Sequence, residues 1–396
     1  MTVTGAPRAD ERRALLPVGG AFVVFGMFWG SWAVATTDVR AAYHLSDAQL
    51  GLLLAVAVTC SGVVGAWVGN RAERWGTART LVRSLLVWAA LLVLTGLADT
   101  AVEFSVCFVA TMAAGGCVDM TMNAASATRL GQRPGALVRF HGIFNIGALV
   151  GAMALGTLLH LGASWRWAWP AIAVVALPVA AWAHLRAADP LPAGGPDGSA
   201  HRRVDEHVPF TRSMAILRRD GLLVLLVLFA VAEVVEGGVD TWGVLYLRTH
   251  LGVTALVGAS AYALGQVMAI GTRLLAGPRL GRMGSRLGVV TGAVVACAGL
   301  CLEALAGSAA LAGLGLALAA GGASIFWPLL MARASTVASR PTATVSAFTA
   351  AGYLGWVAGA PLIGLMADTW GLGVGLVVTA ALAGVVAVVM ACSPGL

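Results

Sequence analysis

Lysine is absent: all 25 basic residues in this 396-residue chain are arginine. A P-loop holds its phosphates with a lysine, and retinal and pyridoxal proteins build a Schiff base on a lysine amine. The chain is therefore neither the ATP-hydrolysing subunit of a pump nor a Schiff-base protein. Charge of either sign is scarce. Charged residues make up 11% and hydrophobic residues 59%, where a soluble chain carries about 25% charged residues. So few charges cannot cover a water-facing surface, which excludes a soluble protein. The six cysteines all sit in apolar runs, and only Cys297 and Cys301 have helical i, i+4 spacing. Without a second ligand pair they read as small buried hydrophobes, not as a disulfide or zinc framework. HExxH and GxSxG signatures are missing as well. No enzymatic activity, metal site or cofactor is expected.

What is present is a series of long apolar runs. A spanning helix needs about 20 apolar residues, and twelve such runs lie near 15–37, 47–69, 78–98, 102–127, 137–160, 166–186, 221–247, 253–275, 287–306, 308–331, 342–366 and 370–391. The first lacks a small-residue cleavage site after it and reads as a retained helix. A polar stretch at 189–213 reads as a linker between halves at 1–188 and 214–396. With the N-terminus inside, 22 arginines fall on cytoplasmic segments and only Arg40, Arg166 and Arg248 fall outside. That asymmetry follows the positive-inside rule. It accounts for the basic charge without nucleic acid, leaving the lipid bilayer as the partner and both termini cytoplasmic. Trp165, Trp167 and Trp169 read as interface anchors at the outer start of the sixth run.

The chain repeats itself at an offset of 208: Gly69, Arg71, Arg74 and Gly76 fall on Gly277, Arg279, Arg282 and Gly284, and Gly147, Gly151 and Gly156 on Gly355, Gly359 and Gly364. Two duplicated six-helix halves imply a binding site at their interface near the midplane and alternating access by rocking. That architecture is a secondary transporter's.

The first repeated loop reads Gly69-Asn-Arg-Ala-Glu73-Arg74-Trp-Gly76-Thr-Ala-Arg79, and its echo Gly277-Pro-Arg-Leu-Gly281-Arg282-Met-Gly284-Ser-Arg286. Here the chain resembles the major facilitator superfamily, whose signature between the second and third helices is G-x-x-x-[DE]-R-x-G-x-x-[RK]. The resemblance implies an all-α membrane protein of twelve transmembrane helices in two pseudo-symmetric six-helix halves. It also implies a cytoplasmic latch at Gly69, Glu73, Arg74, Gly76 and Arg79, with Arg282 in the second copy. Gly281 stands where the second copy's acid would be, so that latch is expected to be the weaker.

Carboxylates inside the apolar runs are the next signal, since an intramembrane ionisable group is costly and usually functional. Asp119 lies about ten residues from the cytoplasmic end of the fourth run, ~15 Å deep at 1.5 Å per residue. Asn123 follows at i+4, on the same face. His141 and Asn145 repeat that spacing in the fifth run. Asp119 reads either as a proton carrier or as a strut paired with an arginine or with His141. In the seventh run, Glu233, Glu236 and Asp240 form one acidic stripe, pointing within ~60° of one another. Three like charges so close cannot all ionise cheaply, which suits proton coupling or a cationic or polyhydroxylated substrate. Alternatively, Asp240 is wet at the outer mouth, and Arg248 or His250 neutralises another acid. Trp29, Trp32, Trp327, Tyr353 and Trp356 offer stacking faces at cavity depth or simple packing, and Gln266 a hydrogen-bond partner.

These helices resemble the fucose permease branch in particular, through Asp119, Asn123, Phe144 and Asn145, and through Leu45-Ser-Asp47-Ala-Gln49 before the second helix. In that branch a fourth-helix acid and a first-helix Asp serve proton-coupled sugar uptake; Asp119 matches the former and Asp38 approximates the latter. The chain as a whole is closer still to the MosC/YbjJ-type bacterial members, whose proposed substrates include an inositol derivative. The implied function is proton-coupled uptake of a small polar metabolite, a sugar, cyclitol or derivative, across the inner membrane by a monomer. The alternative is a proton-antiport exporter. Drug antiporters of the superfamily carry Gly-Pro in the fifth helix, where this chain has Gly151-Ala152. A non-transporting sensor or a membrane-embedded enzyme is the remote alternative.

Overall fold

Helix follows helix along the chain, and the described residues contain no strand. The structure, a computed structural model, describes residues 9–130, 134–187, 210–276 and 284–393. The first half comprises α1 (Ala9–Ala42), α2 (Asp47–Trp75), α3 (Thr77–Leu97), α4 (Ala101–Leu130), α5 (Pro134–His160) and α6 (Ala168–Ala187). A short amphipathic helix, α7 (Phe210–Arg219), begins inside the stretch read as linker, and the remainder of that stretch lies outside the described residues. The second half comprises α8 (Leu223–His250), α9 (Ala255–Gly271), α10 (Ser285–Leu305), α11 (Ala309–Ala323), α12 (Phe326–Val337), α13 (Pro341–Trp370) and α14 (Leu372–Cys392). The α11 and α12 helices are two pieces of one crossing, giving twelve in all.

Eleven crossings are long and apolar enough to span a bilayer by composition. The twelfth is α8, whose apolar run is interrupted by Glu233, Glu236 and Asp240. Its 28 residues still reach about 42 Å, beyond a hydrocarbon core of ~30 Å. A helix that spans the membrane with three acids in its apolar run carries those charges for a reason other than solubility.

The repeat appears as equivalent packing. In the first half α1 packs on α5, α2 on α4 and α3 on α6; in the second, α8 packs on α13, α9 on α11 and α10 on α14. Two glycines 208 apart make the same close approach. A Cβ on Gly147 would lie 2.2 Å from the Val23 carbonyl oxygen, and one on Gly355 would lie 2.3 Å from that of Ala230. At the repeated loop, Gly76 and Gly284 both hold positive φ, 87° and 94°, a backbone that a side chain would strain.

The halves meet unevenly. Across the interface α2 packs on α13, α5 on α9, and α1 on α8. Contact is tight at the end holding the α1–α2 and α8–α9 turns, called here the arginine-poor end. There a Cβ on Gly156 of α5 would sit 2.4 Å from the Ala259 Cβ of α9. Toward the other, arginine-rich end, a Cβ on Gly142 or Gly271 would meet no described atom within 4 Å.

Charges complete the closure. The Asp38 carboxylate of α1 pairs with the Arg248 guanidinium of α8 at 2.5 Å, and Arg248 also donates to the Val34 carbonyl at 2.9 Å. Asp368 of α13 accepts from the Asp47 and Ala48 backbone N–H groups at 2.8 and 3.0 Å. A carboxylate from the second half thereby caps the positive N-terminus of α2 in the first. Arg40 adds a 2.9 Å bridge to Asp47. At the arginine-rich end the Ser339 backbone N–H and hydroxyl both donate to Asp220 at 2.8 Å, holding that carboxyl below its ordinary range.

Overpacking a tight seam costs about 1–3 kcal/mol, so Gly156→Leu is expected to wedge α5 from α9 and open the arginine-poor end. The check uses Val239→Cys, midway along α8, in a cysteine-free background. An impermeant maleimide on the arginine-poor side of sealed vesicles labels it faster when Gly156→Leu is added. An unchanged labelling rate would show that this seam does not close the bundle.

Candidate functional site

A cavity of about 80 Å³ lies between the halves, lined by Phe144 and Asn145 of α5, Glu236, Val239 and Asp240 of α8, Gln266 and Ala269 of α9, Arg273, and Ala320, Ala323 and Ser324 of the tenth crossing. Its organiser is Arg273. Pro328, near the start of α12, has no N–H to give the carbonyl four residues earlier, that of Ser324. The tenth crossing breaks there, and Arg273 Nε donates to the freed Ser324 oxygen at 3.0 Å. Arg273 Nη1 donates across the halves to Asn145 Oδ1 at 3.1 Å. Its Nη2 lies 3.7 Å from Glu236 Oε1. A π-helical turn over Thr272–Ala276 ends α9 at this point, a distortion that often marks functional sites.

The α8 stripe divides in use. Glu236 and Asp240 face the cavity, so Asp240 is not left at a wet mouth. Glu236 has Arg273, whereas Asp240 has no hydrogen-bond or ion-pair partner among the described residues. Glu233 turns instead onto α13, where a Cβ added to Gly355 would lie 3.0 Å from its Cβ, and its Oε1 is buried without a partner among the described residues. Arg248 is held by Asp38 and not by this stripe.

A second polar cluster bridges the halves from α4. Asn123 Nδ2 donates to Asp119 Oδ1 at 2.8 Å, as their i, i+4 spacing permits. From across the interface the Tyr353 hydroxyl of α13 donates to Asp119 Oδ2 at 3.3 Å. Asp119 is thus bound by an amide and a phenol, with neither an arginine nor His141 as its partner among the described residues.

The remaining predicted residues disperse. His141 lies with its ring 5.3 Å from Phe22, its Nε2 buried without a partner among the described residues. Trp32 is 1% exposed and stacks on Phe108 and Trp169 within the first half, so the structure places it in the core and away from the cavity. Trp327 packs on Phe229 at 5.1 Å and stays about a third exposed. Trp29 and Trp356 meet edge to face across the halves. Asp38 sits in the closure with Arg248, apart from both clusters. In the repeated loop, Gly69 lies against Met120, Gly76 makes the turn, and Arg74 and Arg79 are exposed. The Glu73 side chain and Arg282 lie outside the described residues.

Leu45-Ser-Asp47-Ala-Gln49 has a local explanation. Ser46 Oγ accepts from the Gln49 N–H at 3.2 Å, and Gln49 Oε1 accepts from the Ser46 N–H at 2.9 Å. This is a capping box that starts α2. Sequence reasoning missed Arg273, counting it among the cytoplasmic arginines although it falls inside the run placed near 253–275. The signal that could have found it is Pro328, which forces a free carbonyl inside a membrane span.

A family model described as the Major Facilitator Superfamily matches residues 18–360. The chain belongs to the Major Facilitator Superfamily. Membrane protein MosC of Rhizobium meliloti is 26% identical to it, over 98% of this chain and 94% of MosC. An uncharacterized MFS-type transporter of Yersinia pestis is 27% identical over 89% of each chain. Among solved structures, a bacterial homolog to the human lysosomal transporter Spinster, inward-facing and unoccupied, matches with a TM-score of 0.78 at 16% identity over 97% of both chains. The nucleoside transporter NupG matches with a TM-score of 0.75 at 12% identity, over 97% of this chain and 99% of its own. Those identities speak to the fold alone. This Major Facilitator Superfamily member is a membrane transporter and not an enzyme.

If Arg273 and Glu236 form one electrostatic unit, Arg273→Met and Glu236→Gln will each destabilise the purified transporter. The double variant will recover part of the loss, with a coupling of about 0.5–3 kcal/mol. Thermal unfolding in detergent measures the cycle, and additive losses would show the 3.7 Å pair to be energetically idle.

Proposed function

We propose that this transporter couples the uptake of a small polar metabolite, a sugar, cyclitol or derivative, to the movement of protons. The observation that carries the reading is the Tyr353–Asp119 hydrogen bond, which ties an intramembrane carboxyl of the first half to the second half. Adding or removing a proton at Asp119 changes the number and strength of the hydrogen bonds it accepts. Its protonation state therefore bears directly on how the halves hold together. Glu236 and Asp240 are further proton sites, and Glu233 joins them from the same helix. Asn145 and Gln266 face the cavity with amide groups suited to hydroxyls. Asn123, His141, Trp327 and Tyr353 are placed to contribute as the cavity widens.

The arginine asymmetry sets polarity. By the positive-inside rule the arginine-rich end is cytoplasmic, which puts both termini inside and makes the closed end external. The halves 1–188 and 214–396 rock against each other. Gly69, Glu73, Arg74, Gly76, Arg79 and Arg282 then form the cytoplasmic latch. At about 80 Å³ the cavity is small beside the several hundred Å³ usual for small-molecule sites, and rocking of the halves enlarges it to admit a metabolite. Nothing in this cycle calls for a second copy of the chain.

A thermal-shift screen against sugars, cyclitols and amino sugars identifies the ligand, because saturation at 100 times Kd stabilises the folded state by about 2.7 kcal/mol. In proteoliposomes given that ligand, Asp119→Asn is expected to abolish accumulation driven by a pH gradient while counterflow continues. Full accumulation by Asp119→Asn would remove Asp119 as the carrier.

A further inference from the structure

Glu303 belongs to neither cluster. It sits on α10 two residues before that helix ends at Leu305, near the arginine-poor end, and is 0% exposed. Both carboxyl oxygens are buried without a partner among the described residues. A neutral carboxylic acid is tolerated in such a place and a lone carboxylate is not. The carboxyl is aimed at α8: a Cβ added to Gly243 would lie 3.1 Å from Glu303 Oε1. Gly243 is one turn beyond Asp240, about 4.5 Å along the axis and ~60° around it. Glu236, Asp240 and the gap at Gly243 thus follow one another on a single face of α8, and Glu303 fills the gap from the neighbouring helix.

The surroundings offer little else that can take a proton. From α8, Tyr246 faces Glu303, but its hydroxyl donates to the Ala304 carbonyl at 2.9 Å. Further along, Arg248 is engaged with Asp38 and His250 stacks on Tyr246. The α11 helix (Ala309–Ala323) contains no ionisable side chain, and α14 has only Cys392, at its far end. The α12 helix brings Arg333, likewise toward the arginine-rich end.

We propose that Glu303 is a proton-binding site that exchanges protons with the Asp240–Glu236 cavity, extending the carboxyl path along α8 to the arginine-poor end. The inference rests on the reading that the α8 acids carry protons. In the step itself a Glu303 O–H bond breaks and its proton passes through water to a carboxylate oxygen of Asp240. Glu303 is left as the carboxylate and regains a proton from water when the arginine-poor end opens. The reverse transfer loads it from the cavity.

Infrared spectroscopy of the whole protein in phosphatidylcholine liposomes tests this without substrate or gradient, so its outcome is independent of whether uptake is found. The Glu303 carboxylic-acid carbonyl band is assigned by its loss in Glu303→Gln, or by its shift in Glu303→Asp should the first variant not fold. On transfer to D₂O the wild-type band is expected to exchange. In Asp240→Asn that exchange is expected to slow about a hundredfold, the scale of losing a positioned proton-transfer group, while Asp119→Asn leaves it unchanged. A wild-type Glu303 band that does not exchange makes the residue a neutral strut and overturns the proposal. Exchange at the wild-type rate in Asp240→Asn overturns it equally.

Discussion

Inside a bilayer no water is available for an unsatisfied backbone group, and the central site depends on how one such group is satisfied. Pro328 opens the tenth crossing and strands the Ser324 carbonyl; the Arg273 guanidinium closes the gap. Once a cation is fixed there by backbone geometry, its other nitrogens organise what surrounds them. One reaches Asn145 in the opposite half, and another faces Glu236. A broken helix, an interface contact and an intramembrane ion pair therefore share one side chain. Arginine suits the position because its fork presents donors in several directions and keeps its charge when buried.

The scarce charges divide into two kinds of work. Most arginines lie at one end of the bundle, where they bear on orientation. The three at the opposite end are each built into the structure. Arg40 braces Asp47, and Arg248 holds Asp38 across the halves. Arg166 donates to the Ala98 carbonyl and lies over the Tyr43 and Trp165 rings. Exceptions to a charge bias are thus worth reading as contacts.

The twelve crossings and the duplication were legible in the sequence because each rests on composition or on a fixed offset. Asp119 with Asn123 was legible as well, since i, i+4 spacing dictates proximity within one helix. Contacts between helices were not. Nothing local says that Tyr353 would reach Asp119, or that Glu233 would turn to α13 while its neighbour Glu236 faces the cavity. Trp32 shows the limit for aromatics: its depth suggests a cavity wall, but depth does not say which face of α1 meets α4 and α6. Arg273 was missed because its long side chain carries the charge well away from its own Cα. Glu303 was missed because it sits near a helix end, where a carboxylate reads as solvated. Its burial follows from the Gly243 gap on α8, which only packing reveals.

The Asp368 cap on α2 bears on the balance between conformations. In the closed state a carboxylate of one half accepts from two N–H groups that begin a helix of the other. These donors lie at the helix start, where none has an intrahelical acceptor in any conformation. Were the halves to separate, water would take the place of Asp368, and no hydrogen bond within α2 would be broken. The exchange is close to neutral in enthalpy and leaves both helices intact. A seal made this way lets two packings of the same chain lie within a few kcal/mol of each other, the condition for a ligand or a proton to choose between them.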